Sequence, residues 1–392
     1  MPSRPGAEGS GPGGPLRVTL VLDVAAVGGA EIVLRNTFAH LDPARVVTDV
    51  VCLREPGPLA DDFRAVSDGL VTLPRGGRLD PAGLGRVPRL ARHFRTRRTD
   101  VVVVSHHHRA ALTLARVAAP LGGARSVVAA HDMDLTRVGS RVLPRQVVET
   151  LFLSSGLALL APSQGRYLHD EEGVGRSWRS RAREFLVPNG IPAPEPEPPT
   201  RRAEVRAELG VEDDDVVVLM VARLSRQKAH EVMLDALARA AHPKLRLVVV
   251  GDGARREELE GLVADRGLEK SVSFLGLRRD VPRLLAGGDV FALSSVHEGV
   301  PISVIEAMTQ GLPVVATDVG ALRDQVTDGV DGFLVGSGDA AALGERLVRL
   351  ADDPALRAEF GRRARERAST EFTIENTAAA FTAMVETVAG RA

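Results

Sequence analysis

Short runs of Val, Leu and Ala recur along the chain, spaced widely enough to leave a helix-length amphipathic segment between neighbours. In the first half they are RVTLVLDV, RVVTDVVCL, DVVVVS, RSVVAA and LALLAP. The second half repeats the alternation with DVVVLMVA, LRLVVVG, SVSFLG, DVFALSS, LPVVAT and GFLVG. Apolar residues at successive positions predict strands buried on both faces, and such strands separated by helices belong to parallel sheets covered on each side. The pattern therefore predicts an α/β protein made of two Rossmann-like units.

Between the halves, IPAPEPEPPT is the clearest linker, because clustered prolines cannot pair in a sheet and resist helix formation. The predicted division is a first domain over 16–191, a Pro-rich linker over 192–200 and a second domain over 201–373, with a cleft at the hinge. Residues 1–15, MPSRPGAEGSGPGGP, have almost nothing to bury and are expected to be a disordered leader.

At 392 residues, each half is long enough for a core of its own. Hydrophobic residues are 44% of the chain but aromatics only 3%, so the interior must be built of aliphatic side chains. Fifty basic residues against 51 acidic ones give a net charge of −1, which offers no global field for nucleic acid or an anionic membrane. The single cysteine, Cys52, excludes a disulfide framework or a cysteine zinc site and reads as a small buried hydrophobe. No secretory signal or membrane-length apolar span stands out, so a cytoplasmic protein is expected.

The densest candidate chemistry is in HEGVPISVIEAMTQGLPVVATDVGA, where Glu298 and Glu306 stand eight residues apart around a Gly-Pro turn and the start of an apolar helix. That spacing puts one acid in the loop before the helix and the other about two turns inside it, facing one cleft. Pro301 suits a first helical position, and the free amides after it make an anion site. Glu306, set among Ile302, Ile305 and Met308, should be half buried and in need of a partner. Arg223 directly follows VVVLMVA, on the carboxyl rim of its sheet where ligands of open parallel sheets sit, with Lys228 in the next loop.

This segment resembles the E-x7-E signature of the retaining glycosyltransferases of family 4, which have the GT-B fold. Further matches stand in order: Gly28-Gly29-Ala30-Glu31, Val187-Pro188-Asn189-Gly190-Ile191, Arg223 and Lys228 in VARLSRQK, Gly251-Asp252-Gly253, Phe274-Leu275-Gly276 and Pro313-Val314-Val315-Ala316-Thr317. The resemblance spans roughly residues 16 to 385 and implies two Rossmann-like domains facing each other across a cleft. It also implies that the C-terminal helix, 374–392, packs back on the first domain.

The same resemblance assigns roles. Arg223 and Lys228 would grip the donor diphosphate and stabilise the charge that develops on it. Glu306 would take the ribose hydroxyls, and Glu298 the transferred sugar near the reacting carbon. Backbone from Gly299, Val300, Pro301 and Ile302 would meet phosphate or sugar oxygens, with Gly28 and Gly29 approaching from the first domain. Gly251, Asp252, Leu277 and Arg278 would line the nucleotide pocket. His131, after RSVVAA, would contact the acceptor or the donor sugar.

The implied reaction is retaining transfer of a hexose or N-acetylhexosamine from a nucleotide-diphosphate sugar, UDP first, to a hydroxyl on a glycan, lipid-linked or small acceptor, with no cofactor. No metal is expected, because Arg223, Lys228 and the helix N-terminus already neutralise the diphosphate. Asp132 and Asp134 then read as loop or acceptor-site residues. His106, His107 and His108 read as a rim loop, three consecutive histidines without an acid at ligand spacing. Arg86, Arg89 and Arg92, within the Arg-rich stretch from Arg75 to Arg98, read as a solvated face; peripheral membrane contact there is a less favoured reading. A GT-B sugar-nucleotide epimerase and a noncatalytic sugar-nucleotide binder are the alternatives. A nicotinamide dehydrogenase is the weakest, since GGAE replaces G-x-G-x-x-G.

Overall fold

The structure is a computed structural model; it describes residues 14–74, 85–131, 137–138, 141–142, 153–175, 180, 182–194, 198 and 200–391. Asp132, Asp134, residues 75–84 of the Arg-rich stretch and most of the expected leader lie outside the described residues. Two compact units emerge. The first comprises Met1–Leu160, Gly165–Pro188 and Ile374–Ala392, and the second Ala161–Gln164 and Asn189–Thr373.

In the first unit, β1 (Leu16–Leu22), β2 (Val46–Cys52), β3 (Leu70–Thr72), β4 (Val101–Ser105), β5 (Arg125–Ala130), β8 (Gly156–Leu159) and β9 (Arg183–Leu186) form a parallel sheet in the order β3-β2-β1-β4-β5-β8-β9. A short antiparallel pair, β6 (Arg137–Val138) and β7 (Arg141–Val142), stands apart from it. Strands β1, β2, β4, β5 and β8 follow the apolar runs of the sequence. Their side chains fill one core on each face of the sheet, with Val21, Val51 and Val102 on one side and Leu20, Val50 and Val103 on the other. Cys52 is fully buried, and burial pushes its thiol up to about 11.

The second unit repeats the scheme with β10 (Val216–Val221), β11 (Leu245–Val250), β12 (Val272–Phe274), β13 (Val290–Leu293), β14 (Val314–Thr317) and β15 (Gly332–Val335). Their order is β12-β11-β10-β13-β14-β15, all parallel. Both sheets reverse direction of growth beside their first strand, between β1 and β4 and between β10 and β13. In open α/β sheets the crevice at such a reversal is where ligands bind.

The helix Ile374–Ala389 belongs to the first unit. Phe381 meets Phe38 edge-on at 6.0 Å, and Met384, Val385 and Val388 are buried with the β1 and β5 side chains. Two sequence readings change. Arg86 is not on a solvated face: it is 1% exposed, and its Nη1 donates to the Leu53 carbonyl at 2.9 Å. Only Arg89 and Arg92 of that trio are exposed. Among the described residues, no helix is long and apolar enough to cross a membrane.

Candidate functional sites at the two sheet reversals

In the second unit, the loops after β10, β11 and β13 converge. The Gly251-Asp252-Gly253 turn is there for packing as much as for any ligand. A Cβ on Gly251 would strike the Ala222 carbonyl, and one on Gly253 the Leu224 carbonyl, so glycine alone lets this turn seat against the loop that carries Arg223. The Leu224 amide closes the contact by donating to the Asp252 carbonyl at 3.0 Å. Asp252 itself accepts from the Gly253 amide at 2.7 Å and is exposed.

Arg223 leaves this platform exposed, and no ion-pair partner is found for it among the described residues. Most neighbouring arginines are different: Arg255, Arg256 and Arg278 are each engaged by carboxylates. Lys228 closes the short turn Arg226–Lys228 and pairs with Glu298, Nζ to Oε1 at 2.5 Å. Glu298 is 4% exposed and also accepts from the Ser295 hydroxyl at 2.5 Å. The Val296 amide donates to the Gln227 carbonyl at 2.9 Å and the Gln227 side-chain amide to the His297 carbonyl at 2.9 Å, which laces the two loops together.

The strand-to-helix loop is equally fixed. Ala321 N–H donates to the Gly299 carbonyl, Asn189 to the Val300 carbonyl at 3.1 Å and Gln325 to the Pro301 carbonyl at 3.1 Å. These bonds turn the carbonyls inward and leave the first amides of the helix Ile302–Thr309, with its positive end, at the sheet rim. Pro301 precedes that helix in an extended conformation (φ −67°, ψ 121°) and is not its first residue. Glu306 is accordingly the fifth helical residue, one turn inside and not two. Its carboxylate is half-buried, has no side-chain partner among the described residues, and is pushed up to about 7 by burial.

Leu277 and Arg278 stand differently from these groups. Leu277 is 77% exposed, and Arg278 is tied to Asp280 at 2.7 Å and Glu208 at 3.0 Å, which gives its guanidinium a structural task.

At the first unit's reversal, Gly28 caps the helix Gly29–Ala39 and Glu31 lies in its first turn. A Cβ on Gly28 would collide with the Glu31 carboxylate, so this glycine makes room for a side chain of its own helix. Glu31 Oε1 accepts from His107 Nε2 at 3.1 Å and His108 Nε2 at 3.0 Å. The histidine run is therefore not a simple rim loop: an acid does reach it, from the first turn of the helix after β1. The signal was available, since a Rossmann strand order sets the loops after the first and fourth strands side by side.

Glu31, His107 and His108 bring ligand atoms within 4.8 Å of one another, close enough to suggest a metal ion. The hydrogen bonds argue otherwise. His108 Nδ1 accepts the Asp23 amide at 3.1 Å, so in the neutral ring Nε2 carries the hydrogen and donates to Glu31, with no lone pair left for a metal. Burial alone would raise Glu31, but the bonds from His107 and His108 and the charge of His107 hold it well below the usual carboxylate range. His131 packs edge-on against His107 at 5.9 Å; its ring nitrogens are buried without a partner, and burial followed by the neighbouring histidines pushes it down to about 3. His106 is pushed down to about 3 for the same reasons.

Comparison with known proteins agrees with both halves. Residues 201–367 match the family model "Glycosyl transferases group 1", and residues 27–191 match "Glycosyltransferase Family 4". The chain is 29% identical over 360 residues to the putative glycosyltransferase EpsF of Bacillus subtilis, covering 89% of this chain and 90% of that protein. It is 31% identical over 177 residues to the UDP-Gal:alpha-D-GlcNAc-diphosphoundecaprenol alpha-1,3-galactosyltransferase of Escherichia coli, covering 44% of this chain and 46% of that one. With the exception of EpsF, the matches span about half the length of the curated relatives. Among solved structures, Anabaena Alr3699/HepE in complex with UDP-glucose superposes with a TM-score of 0.80 at 22% identity, covering 95% of this chain and all of that one. That likeness establishes the GT-B type of fold.

Proposed function

Because the chain belongs to glycosyltransferase family 4, we propose that it transfers a hexose or N-acetylhexosamine from a nucleotide-diphosphate sugar to a hydroxyl acceptor, with retention at the sugar carbon. The second unit holds the donor. One observation carries this reading: at the β10/β13 reversal an exposed, unpaired Arg223 neighbours the loops that carry the Lys228–Glu298 pair, while one turn into the following helix Glu306 keeps a carboxylate without a partner.

An unpaired guanidinium and a helix N-terminus suit a diphosphate, and a half-buried carboxylate suits the two hydroxyls of a ribose. Arg223 gains most from the ligand as the leaving diphosphate acquires charge, which is the condition for a group to raise turnover and not affinity alone. UDP is the first-choice nucleotide, supported by the UDP-glucose bound to the Anabaena structure. These cations already neutralise the diphosphate, so the reaction proposed is metal-independent, in the cytoplasm.

The test is a thermal-shift screen of UDP-, GDP- and ADP-sugars on wild type and Arg223→Ala, followed by mass spectrometry of candidate acceptors with the best donor. A donor that raises the melting temperature of wild type but not of Arg223→Ala supports the assignment. Equal shifts in both proteins would remove it.

A further inference from the structure

A cavity of about 310 Å³ opens at the amino ends of β5, β8 and β9, the opposite edge of the first unit's sheet from the histidine cluster. Arg125 and Arg183 are the first residues of β5 and β9, and β8 runs between those two strands. In the register Val127 is level with Gly156, and Gly156 with Arg183. Residues two apart in a strand share a face, so Arg125 stands on the same face as Arg183. Between them β8 contributes Gly156, which has no side chain. A Cβ there would press on Phe185 and on Val388 at 3.1 Å each, so glycine lets the ring and the terminal helix come together beneath the opening.

The floor is apolar and the rim cationic. Phe185 and Val388 form the floor, Ser155 and Thr387 add hydroxyls, and both arginines are exposed. Arg183 holds its guanidinium over the Phe185 ring at 5.5 Å. Arg125 donates from Nη1 to the Val388 carbonyl in the last turn of the helix Ile374–Ala389, where a cation suits the negative helix end. That cap uses one of its five donors. Among the described residues neither guanidinium has a carboxylate partner. The acids adjoining them are engaged elsewhere: Glu386 by Arg45 at 2.8 Å, Glu184 by His169 at 2.7 Å, and Asp100 by the Arg17 amide at 2.9 Å. Two unpaired cations at one opening repel each other, and an anion between them removes that repulsion.

We propose that this cavity binds a phosphate ester: Arg125 and Arg183 hold the phosphate, and the organic group it carries lies on Phe185 and Val388. The planar guanidinium fork matches phosphate oxygens two at a time. The volume is that of a small-molecule pocket and exceeds what a bare phosphate fills. The ligand is a soluble phosphate ester or the phosphate headgroup of a lipid, which share this chemistry. The site lies wholly within the first unit and does not depend on the donor assignment in the second.

Phenyl phosphate is the probe, titrated by calorimetry into wild type, Arg183→Ala, Arg125→Ala and Arg223→Ala. The site predicts saturable binding to wild type, unchanged in Arg223→Ala and weakened roughly tenfold or more in Arg183→Ala, the scale of a lost charge-assisted contact. Equal affinity in wild type and Arg183→Ala overturns it, as does a loss confined to Arg223→Ala, which would place the probe in the donor site. Arg125→Ala also removes a helix cap, so its melting temperature is read alongside; Arg183→Ala leaves the cap in place and carries the decision. Inorganic phosphate should bind more weakly than phenyl phosphate, and equal binding would overturn the role of the apolar floor. Flotation with phosphatidylcholine vesicles, with and without phosphatidic acid, identifies the source. Flotation that needs phosphatidic acid and is lost in Arg183→Ala supports a lipid headgroup, and phenyl phosphate binding without flotation supports a soluble ester. Neither binding nor flotation in wild type would end the proposal.

Discussion

Lys228 and Glu298, seventy positions apart in the chain, meet as an ion pair at 2.5 Å with both side chains largely buried. The pair joins the loop after β10 to the loop after β13, so it is part of the scaffold as well as of the candidate donor site. Removing one member strands the other. Lys228→Ala should destabilise the protein by about 3 kcal/mol, the usual scale for uncoupling a buried charge, and Lys228→Ala/Glu298→Gln by clearly less. Denaturant unfolding of the two variants against wild type measures this; equal losses would mean that the carboxylate left behind by Lys228→Ala carries no penalty.

Arg223 should behave oppositely. It is exposed and unpaired, so Arg223→Ala is expected to leave unfolding free energy within about 0.5 kcal/mol of wild type. Turnover with the sugar nucleotide found by thermal shift should fall roughly 10²- to 10³-fold, as when one donor to a developing anion is lost. A variant that loses stability and turnover in parallel would make Arg223 a structural residue.

Glu306 gives the protein a pH signature. Its folded-state value is pushed up to about 7 by burial, above the ordinary carboxylate value of 4.5. The native state therefore holds more protons than the unfolded chain between those values, and this carboxyl's contribution to stability falls as pH rises through that window. Relative to wild type, Glu306→Gln should flatten the decline, which urea unfolding between pH 5 and pH 8 measures. Ribose hydroxyls donate to the ionised form, so UDP binding should strengthen as pH rises through about 7 and release a proton. Calorimetry in two buffers of different ionisation enthalpy reads that proton, and its absence would dissociate Glu306 from the nucleotide.

Ala241 follows the helix His230–Ala240 with φ 45°, a left-handed conformation that glycine adopts freely and alanine does not. The residue is exposed, so its methyl group buries little. Ala241→Gly should stabilise the second unit by about 0.5–1 kcal/mol. A lower melting temperature would contradict the strain.

The central strands were legible because burial on both faces writes an unbroken apolar run; β13 reads VFAL and is fully buried. The edge strands were not. β3 (LVT) and β9 (REFL) are short and partly exposed, so neither has the composition that marked the others. In the candidate donor site, residue types and order were visible, but partners were not: nothing local announces that Lys228 reaches Glu298, or that Ser295 supports it. Arg86 misled for a related reason. Helical spacing identified the face, but a carbonyl distant in the chain, that of Leu53, decided that its guanidinium would be buried.

The helix Ile374–Ala389 sets a limit on dissecting this molecule. A fragment ending at Ile191 would keep every strand of the seven-stranded sheet yet uncover the aliphatic side chains that Phe381, Met384 and Val385 roof over. Thr377 donates to the Pro188 carbonyl at 2.9 Å, so the two ends to be sutured already touch. An autonomous version of this half would run from Leu16 to Pro188 and splice directly into the terminal helix.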